Sequence, residues 1–217
     1  MKKNSLLGII FDADGTLLNS MHIWHELGAR YLRSINIEPE KNLAKILYPL
    51  SLEQGCEYLQ KRYALEKTLP EIKESILKII HDFYFYEVEL KDTGAPLAGV
   101  KNFLDLIFQK NIPMVIATSG DRTLLNAALE RNGIKKYFKA VFTCSELQTT
   151  KKDKKIFLEC AKFLGLEPCS IAVFEDSLIA LETAKAAGFV TFGVEDDSNK
   201  DDREKIIEVA DYYTDFL

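Results

Sequence analysis

An apolar run that ends at a pair of aspartates lies near the start of the chain: residues 6–16 read LLGIIFDADGT. A short, nearly continuous apolar run such as residues 6–11 is typical of a strand buried on both faces of a parallel sheet. In open parallel sheets, ligands bind at the carboxyl ends of the strands. We therefore expect Asp12 and Asp14 to lie at the ligand-binding edge of an α/β sheet.

Four further apolar runs follow along the chain, and helical patterns separate them. They are residues 113–117, 140–144, 171–174 and 190–194. In the intervals, apolar residues recur at the spacing of an amphipathic helix, as in residues 100–108 and 156–164. This alternation predicts an α/β fold with a Rossmann-like parallel sheet core and helices on both faces.

Residues 21–91 interrupt this alternation, because they contain no strand-like run and show several amphipathic helical patterns. The segment is too long for a single crossover connection between strands. It predicts an all-helical cap domain inserted after the first strand. We expect the catalytic core to comprise residues 1–18 and 95–217, and the cap to comprise residues 19–94.

The overall composition narrows the class of partner. A chain of 217 residues with 47% hydrophobic residues can bury a core, and a formal net charge of −5 argues against nucleic acid and anionic lipid as partners. No apolar stretch is long enough to cross a bilayer, and a signal peptide is not evident. The four cysteines form no CxxC motif or Cys/His cluster, so we expect reduced thiols in a cytoplasmic protein. The oligomeric state is not encoded in these features, and a monomer is favoured.

Polar residues that can carry chemistry follow the later predicted strands. They are Thr118, Ser119 and Gly120 after the second strand, Lys151 at the start of the helix after the third, and Glu175 and Asp176 after the fourth. Because the carboxyl ends of parallel strands share one edge, we expect these residues to gather around Asp12. An Asp-x-Asp-Gly sequence can also begin a calcium loop, but the downstream ligands of such a loop are missing from the sequence.

The order of these residues resembles the four motifs of the haloacid dehalogenase-like superfamily: an Asp-x-Asp-Gly-Thr loop, a Thr or Ser, a Lys and an acid pair. A helical insertion between the first two motifs resembles the subgroup that contains beta-phosphoglucomutase and phosphoglycolate phosphatase. The resemblance covers essentially the whole chain. It implies a metal-dependent enzyme whose partner is a small phosphorylated metabolite.

The resemblance also implies a role for each motif residue. Asp12 is the expected nucleophile, which forms an aspartyl-phosphate, and Asp14 is the expected general acid and base. The residues implied in binding the phosphoryl group are Thr118, Ser119, Gly120 and Lys151.

A Mg²⁺ ion is the cofactor that the resemblance implies. Its expected ligands are Asp12, the backbone carbonyl of Asp14, and the acid pair, with Asp176 bound directly and Glu175 acting through water. Physical chemistry favours the same arrangement, because a carboxylate nucleophile approaches a phosphate dianion only where positive charge offsets the repulsion. Adjacent carboxylates after a buried strand also repel unless a cation is near.

Three features leave a choice open. Many relatives have proline after the motif lysine where this chain has Lys152, so either Lys151 or Lys152 can be that lysine, and the apolar pair at 156–157 favours Lys151. Thr118 can cap the next helix instead of binding phosphate. Thr16 can be a local turn stabiliser.

The first predicted cap helix contains the candidates for contact with the rest of the substrate. These are His22, Trp24, His25 and Arg30. His25 is the one we expect to bind substrate. Trp24 has helical spacing to Leu27, Gly28 and Tyr31, which favours packing on a helix face.

The cap also bears on the reaction. In the sugar-phosphate mutase, a cap loop provides an arginine that grips a second phosphate, but the corresponding residues 48–55 here contain no arginine or lysine. We therefore favour a phosphatase that hydrolyses a small phosphate monoester over a mutase. Lys61 and Arg62 lie further along and keep the mutase as an alternative.

Other functions of similar folds fit the sequence less well. A dehalogenase needs neither the second aspartate nor the metal, so Asp14, Glu175 and Asp176 count against it. A phosphonatase needs a cap lysine that forms a Schiff base, and no cap lysine here is marked by an apolar context. A phospho-receiver domain places its acid pair after the first strand and lacks a large helical insertion. A non-catalytic phosphate-binding protein is expected to have lost a motif residue, and this chain retains every one.

Overall fold

The computed structural model describes residues 6–91 and 99–214, and the chain divides into two compact units. The core unit comprises Met1–Ser20 and Val88–Leu217, and the helical unit comprises Met21–Glu87. The boundary predicted between residues 94 and 95 lies outside the described residues.

A six-stranded parallel sheet forms the centre of the core unit. The strands are β1 (Gly8–Phe11), β2 (Met114–Thr118), β3 (Phe138–Thr143), β4 (Ile171–Glu175), β5 (Val190–Val194) and β6 (Tyr212–Thr214). Their order is β3-β2-β1-β4-β5-β6, so β1 pairs with β2 on one side and with β4 on the other. This reversal of strand order beside β1 is where open parallel sheets bind ligands. The sheet confirms the predicted Rossmann-like core, although the three-residue β6 is too short to show in the sequence pattern.

The helical unit contains α1 (His22–Ser34), α2 (Leu43–Leu47), α3 (Leu52–Arg62) and α4 (Leu69–Asp82). The core unit contains α5 (Val100–Gln109), α6 (Arg122–Arg131), α7 (Lys155–Leu164), α8 (Leu178–Ala186) and α9 (Arg203–Val209), and helices of this unit cover both faces of its sheet. On one face, α7 and α8 bury apolar residues against Ile10 and Val173. On the other face, Phe103 of α5 contacts Phe11 and Phe174, with ring centroids 6.2 and 5.4 Å away.

Aromatic rings stack across four neighbouring strands of the sheet. Phe11, Phe174, Phe192 and Tyr212 occupy paired positions on β1, β4, β5 and β6. Successive ring centroids lie 5.0, 4.5 and 4.7 Å apart, and the rings are nearly parallel. Such cross-strand pairs add to apolar burial and fix the register of the strands. Asp12 directly follows Phe11 in the chain, and Glu175 directly follows Phe174. The stacked rings therefore fix the positions of these two carboxylates relative to each other.

The helical unit has an apolar core of its own. Its fully buried side chains include Ile23, Tyr31, Leu32, Leu59, Ile72 and Phe83. A capping box between Ser51 and Gln54 starts α3, and one between Thr68 and Glu71 starts α4. Within residues 6–91 and 99–214, none of the helices is both long and apolar enough to span a membrane.

Trp24 does not join that core. Its side chain is 47% exposed, whereas Gly28 and Tyr31 on the same helix are buried. Trp24 lies on the same face of α1 as the buried Gly28 and Tyr31, because the three residues have helical spacing. There it lines a cavity of about 280 Å³. Trp24 therefore lies on the predicted helix face, together with Leu27 and Gly28 in the lining of this cavity, but it is only partly buried there.

Tyr137 offers a test of the core unit away from its polar edge. The buried phenol donates a hydrogen bond to Asp105 Oδ1 over 2.5 Å, and its ring meets Phe108 edge to face. In Tyr137→Phe, the Asp105 carboxylate loses its hydrogen bond from the phenol. We therefore expect this variant to lower the free energy of unfolding by about 1–3 kcal/mol. Thermal melting at pH 7 measures this, with Tyr212→Phe as the control, because the Tyr212 hydroxyl has no hydrogen bond among the described residues.

The same phenol predicts a pH dependence. Burial and the neighbouring Asp105 raise the pKa of Tyr137 from 10.0 to about 12 in the folded protein. A raised folded-state pKa contributes stability that is intact below the unfolded pKa and is lost as pH rises towards the folded one. Between pH 10 and 12 the wild type should therefore lose stability more steeply than Tyr137→Phe. Parallel melting curves for the two proteins over that range would contradict this assignment.

Candidate active site

Four polar positions meet at the carboxyl ends of the central strands. Asp12 directly follows β1, Thr118 ends β2, and Glu175 ends β4 with Asp176 next to it. Because β1 lies between β2 and β4, these side chains share one edge of the sheet. A parallel sheet thus brings together residues that are more than 100 positions apart in sequence.

Lys151 enters this edge from the turn before α7. The sequence predicts that it opens the helix, but α7 begins at Lys155, whose amide donates to Asp153 Oδ1 over 2.9 Å. Lys151 Nζ forms an ion pair with Asp12 Oδ1 and another with Glu175 Oε2, the latter at 2.7 Å. Lys152 is exposed. The structure therefore brings Lys151 to the site, as the sequence favoured.

Charge and burial act against each other at Lys151. Burial alone would lower the pKa of this amine, but the negative charges of Asp12 and Glu175 and the hydrogen bonds to them raise it well above its ordinary value. The amine is therefore a fixed positive charge at neutral pH.

Asp12, Glu175 and Asp176 form a buried acid cluster. Their exposed fractions are 5%, 1% and 4%, and one carboxylate oxygen from each lies within 4.8 Å of the others. Burial and the charge of Asp12 raise the pKa of Glu175 to about 7. Burial and the charges of Glu175 and Asp12 raise the pKa of Asp176 well above its ordinary value. Three close carboxylates that face one ammonium are a hard-oxygen donor set of the kind that Mg²⁺ prefers.

The two oxygens of Glu175 are already engaged. Lys151 donates to Oε2 at 2.7 Å, and the backbone amide of Ser177 donates to Oε1 at 3.2 Å. Asp176 is engaged differently, through a hydrogen bond of 3.3 Å from the hydroxyl of Thr16 and one of 2.7 Å from Asn199. Thr16 therefore links the first motif to the acid pair and is more than a local turn stabiliser.

Asp14 lies beside the second motif. Its Oδ1 accepts a hydrogen bond of 2.7 Å from the buried hydroxyl of Ser20. A Cβ built on Gly120 would lie 3.0 Å from Asp14 Oδ2 and 3.2 Å from Thr118 Oγ1, so the absence of a side chain at Gly120 leaves room for both groups. The Asp14 carboxylate is not a member of the buried acid cluster.

Thr118 is buried, and its hydroxyl oxygen accepts a hydrogen bond of 2.9 Å from the amide of Gly120. An accepting hydroxyl keeps its own proton for another acceptor. The cap of α6 is Asp121, whose carboxylate accepts from the amides of Thr123 and Leu124. The alternative that Thr118 caps this helix is therefore wrong.

A lysine outside the four motifs supports the first motif. Lys91 Nζ donates to the carbonyl of Gly15 at 2.7 Å, to Asp196 Oδ2 at 2.8 Å and to the carbonyl of Glu195. Burial would raise the pKa of Asp196, but its bonds to Lys91 and Ser198 lower it below the ordinary value. Sequence reasoning missed Lys91, because a lone lysine after a helical segment carries no local signal.

The candidates in the first cap helix belong to the helical unit. The His25 ring stacks on Tyr48 with centroids 5.3 Å apart, and the His22 ring meets Phe83 edge to face. Arg30 pairs with Glu26 and Glu87, so its charge has partners within its own unit. The role of His25 as a substrate contact stays a prediction.

Known proteins resemble this chain in sequence. A family model described as haloacid dehalogenase-like hydrolase matches residues 6–188. A phosphorylated carbohydrates phosphatase of Thermotoga maritima is 27% identical over 183 residues, which are 83% of this chain and 81% of the relative. The fructose-1-phosphate phosphatase YqaB of Escherichia coli is 26% identical over 193 residues, which are 83% of this chain and 92% of the relative.

Solved structures are similar as well. A Thermotoga maritima protein assigned as a beta-phosphoglucomutase matches with a TM-score of 0.83 and 23% identity, covering 95% of this chain and 93% of its own. CbbY from Rhodobacter sphaeroides in complex with phosphate matches with a TM-score of 0.71 and 16% identity, covering 97% and 94%. These likenesses show the shared fold. Because the family model spans all four motifs and most of the sequence, the chain belongs to the haloacid dehalogenase-like hydrolases.

Proposed function

We propose that this chain is a Mg²⁺-dependent phosphatase that hydrolyses a small phosphate monoester with Asp12 as nucleophile. One observation carries the proposal: Asp12 is a buried carboxylate that pairs with Lys151 and lies in the same cluster as Glu175 and Asp176. A carboxylate so placed can accept a phosphoryl group only if the surrounding charge favours a dianion, and Lys151 supplies such charge. The two relatives named for phosphatase activity toward sugar phosphates support a phosphorylated carbohydrate as substrate class.

The first half of the reaction transfers the phosphoryl group to the protein. A carboxylate oxygen of Asp12 attacks phosphorus, and the bond from phosphorus to the leaving oxygen breaks. Protonated Asp14 donates its proton to that oxygen, so the product leaves as an alcohol. Ser20 helps this role, because its hydrogen bond to Oδ1 of Asp14 holds the carboxyl group in one orientation.

The second half releases inorganic phosphate. Ionised Asp14 takes a proton from water, the water oxygen attacks phosphorus, and the bond to Asp12 breaks. Throughout, Lys151 and the hydroxyl of Thr118 donate to the phosphoryl oxygens, with the amide and hydroxyl of Ser119 beside them. Splitting the hydrolysis in this way replaces one difficult displacement with two easier ones.

Mg²⁺ would be held by Asp12, the backbone carbonyl of Asp14 and Asp176, and when bound it supplies positive charge that offsets the repulsion between nucleophile and substrate. Glu175 fits an indirect role through water. Both of its oxygens already accept hydrogen bonds, from Lys151 and from the Ser177 amide.

The helical unit would act as the cap that reads the rest of the substrate. Its residues 48–55 carry no cation, and Ser51 and Gln54 within them form the capping box of α3. Arg62 pairs with Glu40 at 3.1 Å, and Lys61 with Glu57 at 3.6 Å. Because these cations already have carboxylate partners, the helical unit favours a phosphatase over a mutase that must grip a second phosphate.

The central experiment measures phosphate release from a panel of sugar phosphates and other small monoesters, with Mg²⁺ and with chelator. Wild type should release phosphate only with the metal, and Asp12→Asn should lower kcat by about 1,000-fold or more. Release that is unaffected by Asp12→Asn would refute the mechanism. Conversion of a sugar 1-phosphate to the 6-phosphate without release would move the assignment to a mutase.

Lys151 and Lys152 form a matched pair of variants. Lys151→Met removes the ammonium that contacts Asp12 and Glu175, so we expect kcat/KM to fall by about 100-fold or more. Lys152→Met removes an exposed charge next to it and should leave kcat/KM within about twofold. Equal losses in the two variants would show that Lys151 does not act through its contacts in the site.

Gly120 gives a test of the packing around Asp14. In Gly120→Ala the added Cβ meets Asp14 Oδ2 at 3.0 Å, so the carboxyl group must shift, and kcat should fall by about 10- to 100-fold. Gly133→Ala is the control, because its Cβ has nothing within 4 Å, although a backbone φ of 67° strains the alanine. The control should lose thermal stability and keep its kcat, whereas the reverse pattern would contradict the geometry described for Gly120.

A further inference from the structure

A loop outside the four motifs reaches the acid pair. Residues 195–202 follow β5, and Asp197–Asp202 within them form a 3₁₀ turn. From this loop, the Asn199 amide Nδ2 donates to Asp176 Oδ2 at 2.7 Å and to the Asp176 backbone carbonyl at 3.0 Å. We propose that Asn199 is a positioning residue of the metal site, which fixes the orientation of the Asp176 carboxylate and thereby raises the affinity for Mg²⁺. This inference rests on the proposed function, because it takes Asp176 as a metal ligand.

The need for such a residue follows from the charge around Asp176. The carboxylate is 4% exposed and lies close to Asp12 and Glu175, so repulsion favours a rotamer that turns away from them. Thr16 holds Oδ1 at 3.3 Å and Asn199 holds Oδ2 at 2.7 Å, so both oxygens are tied. Each carboxylate oxygen has a second lone pair for a cation.

Asn199 is itself held by its own loop. Asp196 Oδ1 accepts from the backbone amide and the hydroxyl of Ser198, at 2.9 and 2.6 Å, and the backbone N–H of Asn199 donates to the Asp196 carbonyl at 3.1 Å. Lys91 joins this loop to the first motif through Asp196 and Gly15. At Asn199 the backbone departs from helical geometry, with φ −110° and ψ 21°. The departure occurs at the residue whose side chain reaches Asp176.

The bonding of the Asn199 side chain points to a site role instead of a purely structural one. Both hydrogen bonds of its amide nitrogen go to Asp176, and neither supports its own loop. Ser198 shows the opposite pattern, because its hydroxyl donates to Asp196 in the same loop. Substitution of Asn199 therefore tests the orientation of Asp176, whereas substitution of Ser198 tests the structure of the loop.

The test compares Asn199→Ala with Ser198→Ala. Wild type and both variants are freed of metal, melted, and titrated with MgCl₂ by calorimetry. We expect Ser198→Ala to bind Mg²⁺ within about twofold of wild type and Asn199→Ala to bind about 10-fold more weakly. Without metal, the two variants should melt within a few degrees of each other. At saturating Mg²⁺, Asn199→Ala should recover most of its kcat with an unchanged KM for the phosphate monoester.

Each other outcome identifies what fails. Wild-type affinity in Asn199→Ala would overturn the role of Asn199 and leave the proposed phosphatase intact. An equal loss in both variants would assign the effect to the loop and would also overturn it. If wild type takes up no Mg²⁺, the metal dependence of the proposed function fails first, and the role of Asn199 falls with it.

Discussion

Lys151 forms ion pairs with two buried carboxylates that would otherwise repel each other at the ends of the neighbouring strands β1 and β4. Its ammonium contacts Asp12 and Glu175, and Asp176 lies within the same cluster. In a buried site, charges of one sign destabilise each other strongly, because little water is present to screen them. This repulsion, together with burial, raises the pKa values of Glu175 and Asp176. The surrounding polar groups are arranged to keep these charges in place, since each oxygen of Glu175 and Asp176 accepts a hydrogen bond.

The sheet makes that arrangement rigid. Phe11 and Phe174 pair on adjacent strands and stack with centroids 5.0 Å apart, and the next residue of each strand carries a carboxylate of the cluster. Helices bury both faces of the strands, so β1 and β4 have little freedom to slide. The distance between Asp12 and Glu175 is thus a consequence of apolar packing, and the chemistry depends on a register that aromatic rings and aliphatic side chains determine.

Loops outside the motifs then orient what the strands bring together. The chain leaves and re-enters the core unit along paired segments, where the Asn19 amide donates to the Glu89 carbonyl and the Lys91 amide to the Leu17 carbonyl. The Lys91 ammonium binds the Gly15 carbonyl beside Asp14 and the Asp196 carboxylate after β5. The first motif, the chain crossing and the loop after β5 are therefore one hydrogen-bonded network. Substitutions in that network are expected to affect the site although they touch no substrate.

The sequence by itself determined the class of fold and most of the chemical groups of the site. Apolar runs reveal buried strands because a strand covered on both faces must be apolar throughout, and polar residues stand out where such a run ends. That reasoning located five strands and the motif residues around Asp12. It works because each signal is local to a few residues.

Only the tertiary structure decided which groups meet. The choice between Lys151 and Lys152 depended on the turn before α7, which directs one ammonium into the site and leaves the other exposed. Sequence patterns did not reveal Asn199 and Lys91, because their hydrogen-bond partners are distant along the chain. They did not reveal Ser20 either, because it lies on an irregular loop and no periodicity marks its bond to Asp14. A strand of three residues such as β6 is defined by its neighbour β5 more than by its own composition. Short-range patterns encode elements, whereas the contacts that orient catalytic groups exist only once the elements have packed.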